Sequence, residues 1–189
     1  MAQLTMDTAR ALLAQTTTQE HLLHHALAVS SCMGAMAEHF GEDPAYWEAV
    51  GYLHDYDYEQ YPEQHLQHTR EPLEQAGVDE ASIRAILAHG YGLCSDVEPV
   101  TPMEKSLFAV DELSGLIGAA ARMRPTGLED LEVKSLAKKF KDKRFAAGCD
   151  RQVIQQGADM LGMELKELMA LCIQGMRAHM DALGLGPKA

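Results

Sequence analysis

The stretch Tyr52-Leu53-His54-Asp55-Tyr56 places a histidine and an aspartate side by side at the end of an apolar helical pattern. At about 100° per residue, Trp47, Val50, Gly51 and His54 share one face of that helix, and Asp55 stands at its edge. His54 therefore occupies a core position. A buried imidazole beside a buried carboxylate needs a partner. A metal ion satisfies both, because it accepts a neutral imidazole nitrogen and a carboxylate oxygen together. A lone histidine on an apolar face is ordinarily a hydrogen-bonded core residue, so the metal reading depends on recurrence elsewhere in the chain.

Helical periodicity runs outward from this segment in both directions, with no alternating strand pattern. The chain reads as all-α, with helices at 7–15, 19–40, 44–56, 63–76, 79–89, 102–121, 129–141, 149–161 and 164–183. Pro44 and Pro102 suit first helical turns, Gly41 and Gly90 suit helix ends, and Gly77 closes the fourth helix. Tyr91 to Pro102, with Gly92, Ser95, Asp96 and Pro99, reads as a loop, as does the neighbourhood of Pro125 and Gly127. Gly184 to Ala189 reads as a frayed end.

The 189 residues suffice for one domain with a full core. Cys32, Cys94, Cys149 and Cys172 form no CxxC pair, which argues against a zinc ribbon or disulfide framework and fits a reducing cytoplasm. No apolar run reaches the roughly 18 residues of a membrane span, and no basic-then-apolar leader opens the chain. A soluble, cytoplasmic protein without a membrane partner is the expectation. A net charge of −12 disfavours nucleic acid as a partner. Against that balance, Lys134, Lys138, Lys139, Lys141, Lys143 and Arg144 fall within eleven positions. This run reads as a solvated helix face or as the contact for a small anionic substrate. A stripe of Val133, Leu136 and Phe140 puts Lys139 on its inward flank and turns Lys134 and Lys138 away, so Lys139 is the candidate phosphate contact.

The recurrence that the central pair calls for is present. The second helix carries His21, His24 and His25 beside an apolar stripe of Leu22, Ala26, Val29, Met33, Met36 and Phe40. On the helical wheel His25 lies about 60° from the stripe's centre, His21 about 100° and His24 about 160°. His25 is thus the inward candidate, and His24 should face solvent. Further on, Met103, Leu107, Val110, Ser114 and Gly118 form a buried stripe with Asp111 inside it. An unpaired carboxylate there would be costly to ionise. A salt bridge or cap is one answer, and a metal shared with His25, His54 and Asp55 is the other. His65 at the start of the fourth helix and His89 at the end of the fifth fit less tightly. A helix C-terminus favours a histidine through the macrodipole, and His65 reads equally as an exposed polar residue.

Taken in order, His25, His54-Asp55, His65, His89 and Asp111 resemble the motif of the HD-domain metal-dependent phosphohydrolase superfamily. His25-Ala-Leu-Ala-Val29 is similar to the family's first histidine with its following small and aliphatic residues. Gly51-Tyr-Leu-His54-Asp55-Tyr-Asp57-Tyr-Glu59 resembles the central motif of its small stand-alone bacterial branch. Thr101-Pro-Met-Glu-Lys-Ser-Leu-Phe-Ala-Val-Asp111-Glu-Leu resembles the segment leading into the last aspartate. The similarity spans about residues 20–180 and includes Glu132-Val-Lys-Ser-Leu-Ala-Lys-Lys-Phe-Lys-Asp-Lys.

The resemblance implies a compact helical bundle of the HD-domain type over 1–189, with a core at about 20–121 and a C-terminal helical extension at about 128–183. It implies a divalent transition metal, one or two ions of manganese, iron, cobalt, nickel or zinc, and hydrolysis of a small phosphorylated metabolite or nucleotide by metal-activated water. It would assign His25, His54, Asp55 and Asp111 to one ion. His65 and His89 would hold a second, with Asp55 bridging and the ions about 4 Å apart. Nucleotide-hydrolysing relatives often place a glutamate four residues after the motif histidine, where this chain has Tyr58. Asp57 and Glu59 flank that position and are the candidate proton donors to the leaving group, or else ordinary loop acids. Two other readings remain open: a di-iron oxygenase of the same fold, which uses the same six-ligand set, and a non-catalytic HD signalling module.

Overall fold

The computed structural model describes residues 3–188, which form nine α-helices and no sheet. In chain order these are α1 (Met6–Leu13), α2 (Glu20–Phe40), α3 (Pro44–Leu53), α4 (Arg70–Gln75), α5 (Glu80–Ala88), α6 (Pro102–Arg122), α7 (Val133–Lys141), α8 (Arg151–Leu161) and α9 (Leu165–Ala178), with a short 3-10 turn at Pro62–Gln64. The all-α expectation holds. Among the described residues, no helix is long and apolar enough to cross a membrane.

Two long helices organise the bundle. α2 packs against α3, α6 and α9, and α6 packs against α5 and α8 as well. Every residue of α2 from Ala28 to Ala37 is buried, so its middle carries no one-sided stripe. The small side chains Ala28, Ser30, Ser31, Gly34 and Ala35 let neighbouring helices approach on all sides. One contact of this kind positions the site. A Cβ on Gly51 would stand 2.9 Å from Met33 Cγ and 3.1 Å from the Ser30 Cα. Glycine at this position brings the end of α3, and with it His54, against α2. α6 begins with a capping box in which Thr101 Oγ1 accepts from Glu104 N at 3.2 Å and Glu104 Oε2 accepts from Thr101 N at 3.1 Å. Arg84 of α5 pairs with Glu104 Oε1 at 2.9 Å, tying α5 to the start of α6. One hydrophobic cluster runs from Leu4 to Leu185 and includes residues of the C-terminal helices.

Three expectations need correction. The single helix at 63–76 is instead the 3-10 turn, an irregular stretch and the short α4. A continuous helix would place Pro72 in its interior, where the ring strikes the preceding turn and a backbone donor is lost. In the actual chain Pro72 falls in the first turn of α4, where it is tolerated. Asp57 also competes for this backbone: its Oδ1 accepts from Leu66 N and its Oδ2 from His68 N, both at 3.0 Å. Leu66 is left-handed at φ 68°, a strained conformation for a branched side chain that those bonds hold in place. The C-terminal end, through residue 188, is docked rather than frayed. Leu183 and Leu185 are buried, Leu185 O accepts from Leu128 N at 2.8 Å, and Lys188 N donates to Pro125 O at 2.8 Å. Gly127, at φ 58°, permits that approach, since a Cβ there would collide with the Leu185 carbonyl. His24 is half-exposed, with its Nε2 4.0 Å from Glu20 Oε1, rather than fully turned to solvent.

Candidate metal centre

The helix ends and loops deliver six side chains to one place. His25 comes from α2, His54 caps the end of α3, Asp55 follows it, His65 stands in the turn before α4, His89 caps α5, and Asp111 lies in α6. His54 is fully buried, His89 is nearly so, and Asp55 and Asp111 keep 18% and 23% of their side-chain surface. These exposed fractions face a cleft of about 430 Å³.

Their donor atoms form two sets. In the first, His25 Nε2 lies 3.0 Å from Asp111 Oδ1, 3.2 Å from His54 Nε2 and 3.6 Å from Asp55 Oδ2. His54 Nε2 lies 3.3 Å from Asp55 Oδ2 and 3.5 Å from Asp111 Oδ1. In the second set, His65 Nε2 lies 3.2 Å from both His89 Nε2 and Asp55 Oδ1, and His89 Nε2 lies 3.6 Å from the same Asp55 oxygen. Donors about 2.0–2.2 Å from a common ion stand about 2.9–3.5 Å apart, so both sets have the spacing of a coordination shell. Asp55 gives one oxygen to each.

The hydrogen bonds behind these rings fix which nitrogen faces the centre. His54 Nδ1 donates to Gly51 O at 2.7 Å and His89 Nδ1 to Ile86 O at 2.6 Å. A carbonyl only accepts, so both Nδ1 atoms carry hydrogen and the lone pairs of the neutral rings sit on the inward Nε2 atoms. His65 Nδ1 likewise donates to Asp57 Oδ1 at 2.8 Å. Imidazole lone pairs thus face carboxylate oxygens in both sets, an arrangement that calls for protons or cations. Such outer partners orient metal-binding histidines. The residues present fit a divalent metal.

Without a cation, protons take that role. Burial opposes charge on His54, but Asp55 and Asp111 outweigh it and raise the imidazole well above its ordinary value. At His65 burial again opposes charge, and hydrogen bonds to Asp55 and Asp57 raise it to about 9. His89 is pushed down to about 4, chiefly by burial, with the His54 charge adding to the effect. Burial works to raise Asp55 and Asp111, yet the neighbouring histidines hold both well below the usual carboxylate range.

Asp57, Glu59 and Lys139 stand elsewhere. Asp57 is buried behind His65 and does not line the cleft. Its carboxylate is held low against the opposing effect of burial by the His65, Leu66 and His68 hydrogen bonds, which leaves it no proton to give. Glu59 caps the start of α2, accepting from Thr18 N at 2.8 Å and Gln19 N at 3.0 Å. Lys139 Nζ lies 4.6 Å from the centre of the Phe145 ring and not in the cleft. Helical phase could not see these partners, because each is set by a loop. The cleft is instead lined by Tyr58, Glu112, His21, Leu93 and Cys149 in addition to the candidate ligands other than the fully buried His54. Glu112 was legible as the neighbour of Asp111, but Cys149 comes from a loop distant in sequence and carried no signal. Tyr58 sets its ring edge-on to His65, with the ring centres 5.2 Å apart. No protein-family model, curated protein or solved structure matches this chain.

Proposed function

We propose that this protein is a metal-dependent phosphohydrolase of the HD-domain type acting on a small phosphorylated metabolite or nucleotide. The observation that supports this reading best is the pair of donor sets joined through Asp55, opening on a cleft that mixes apolar walls with the polar side chains of the centre. The first set offers four donors and the second three, so the second leaves more room for water and substrate. A bound divalent ion would supply a water of lowered pKa and neutralise charge on the phosphoryl oxygens. The chain's own residues then have defined tasks. Asp57 holds the His65 ring in its tautomer and orientation, and Gly51 O and Ile86 O do the same for His54 and His89. Tyr58 lines the cleft beside His65, and its hydroxyl, a hydrogen-bond donor, is our candidate to protonate a leaving oxygen.

The test is a panel of phosphomonoesters and phosphodiesters against manganese-, cobalt-, zinc- and iron-loaded protein, with a chelator control. Chelator-sensitive hydrolysis supports the reading. The presence of two histidines in a second set serves a di-iron oxygenase equally well. Oxygen uptake by iron-loaded protein on an organic substrate, with no hydrolysis under any metal, would favour that chemistry. Metal binding without turnover of either kind would favour a signalling module.

A further inference from the structure

A second trough, of about 250 Å³, adjoins the cleft and shares His21, His25 and Gly115 with it. It runs along α6 past Ser114 and Gly118 to Arg122, with His24 on one side and Met176, Leu183 and Leu185 on the other. Arg84 and Arg124 pair with Glu104 and Asp130, whereas the Arg122 guanidinium has no ion-pair partner among the described residues. Its Nη1 stands 3.4 Å from the place a Cβ on Gly118 would occupy, so the side chain folds back along the helix towards the metal centre, as helical side chains do. Gly118 is seven residues beyond Asp111, about 10 Å along the helix axis. On a chain of net charge −12, an arginine without an ion-pair partner in a trough whose lining holds no carboxylate is a local reversal of sign.

We propose that this trough is a second anion subsite: the substrate carries a phosphate or carboxylate about 10 Å from its reacting phosphoryl group, joined through an apolar spacer. The inference rests on the phosphohydrolase reading for the first group alone. Arg122 supplies a planar two-pronged donor for the distal anion, His21 and His24 line its path, and the glycines of α6 give the spacer a floor without side chains. The docked C-terminal segment forms the apolar wall through Leu183 and Leu185.

The test is calorimetric binding of alkane α,ω-bisphosphonates of increasing length to manganese-loaded protein, compared with monophosphonates and ω-carboxyalkylphosphonates. These compounds cannot be hydrolysed, so turnover is not needed. A bisphosphonate spanning about 10 Å should bind roughly tenfold more tightly than the monophosphonate of equal chain length, as one charge-assisted pair implies. Arg122→Gln should erase that advantage while leaving monophosphonate affinity unchanged, and Arg122→Lys should restore it in part. Comparison with the carboxylate series identifies the distal group. Equal affinity for mono- and bisphosphonates, or an advantage that survives in Arg122→Gln, overturns the subsite and leaves the metal-centred reading standing. A length-dependent advantage without hydrolysis of any phosphoester supports the subsite and overturns the hydrolase. Failure of both classes to bind overturns both.

Discussion

Asp57 accepts a hydrogen bond from His65 Nδ1 at 2.8 Å and from the backbone of Leu66 and His68 at 3.0 Å each. The carboxylate thereby fixes at once the strained turn, the ring plane and the tautomer that presents His65 Nε2 to Asp55. Its role is positional, and removing it should act through the second donor set. Asp57→Asn should weaken the second of two metal-binding steps by about 10–100-fold and leave the first within error in a calorimetric titration. Equal loss in both steps would assign Asp57 to the fold at large.

Tyr58 and Glu59 are neighbours with different duties. Tyr58→Phe should keep metal content and lower kcat by about 10²-fold, the lower end expected for loss of a proton donor. Glu59→Gln, which weakens only the cap on α2, should lower the melting temperature slightly and leave kcat unchanged. A larger kcat loss from Glu59→Gln than from Tyr58→Phe would reverse the assignment.

The metal-free protein should show a stability optimum near neutral pH. His65 is raised from an ordinary 6.5 to about 9, so its contribution is complete below pH 6.5 and is lost as pH rises through about 9. His89 is depressed to about 4, so the unfolded chain takes up its proton first and stability falls as pH drops from 6.5 towards 4. A metal displaces the His65 proton, and the alkaline loss should then disappear. Melting curves from pH 5 to 9, with and without manganese, measure this. Metal-free stability that climbs steadily to pH 9 would contradict the account.

Gly51→Ala tests how the helix contact carries the site. A helical Ala gains about 1 kcal/mol over Gly, but overpacking against Met33 and the Ser30 backbone costs about 1–3 kcal/mol. The Met33 side chain can yield, whereas the Ser30 Cα at 3.1 Å cannot without moving α2. A net loss of up to about 2 kcal/mol is expected, with weaker binding at the His25–His54 set. Unchanged melting and unchanged metal affinity would show that the two helices slide freely.

Helix phase sufficed for His25, His54 and Asp111, because each lies in or at the end of a long helix whose apolar pattern sets its direction. It placed Trp47, Val50 and Gly51 on the buried face where they are found. Phase failed where the chain leaves helical geometry. His65 sits in a turn held by Asp57, a carboxylate eight residues earlier, and no periodicity encodes that bond. Pro72 did carry a usable signal against the helix at 63–76. The direction of Lys139 was drawn from a stripe of its own helix, yet its contact is Phe145 in the following loop. The docked C-terminal end depends on Gly127 accepting the Leu185 carbonyl, a long-range pairing that reads in sequence only as two loop glycines.

The central claim is a paired centre in which Asp55 serves two ions, and metal stoichiometry tests it most directly. Protein purified without an affinity tag and saturated with manganese should hold two ions per chain by elemental analysis. His65→Ala and His89→Ala should each lower this to one, because the first donor set survives in both. A wild-type stoichiometry of one that neither replacement alters would contradict the account and return His65 and His89 to structural roles.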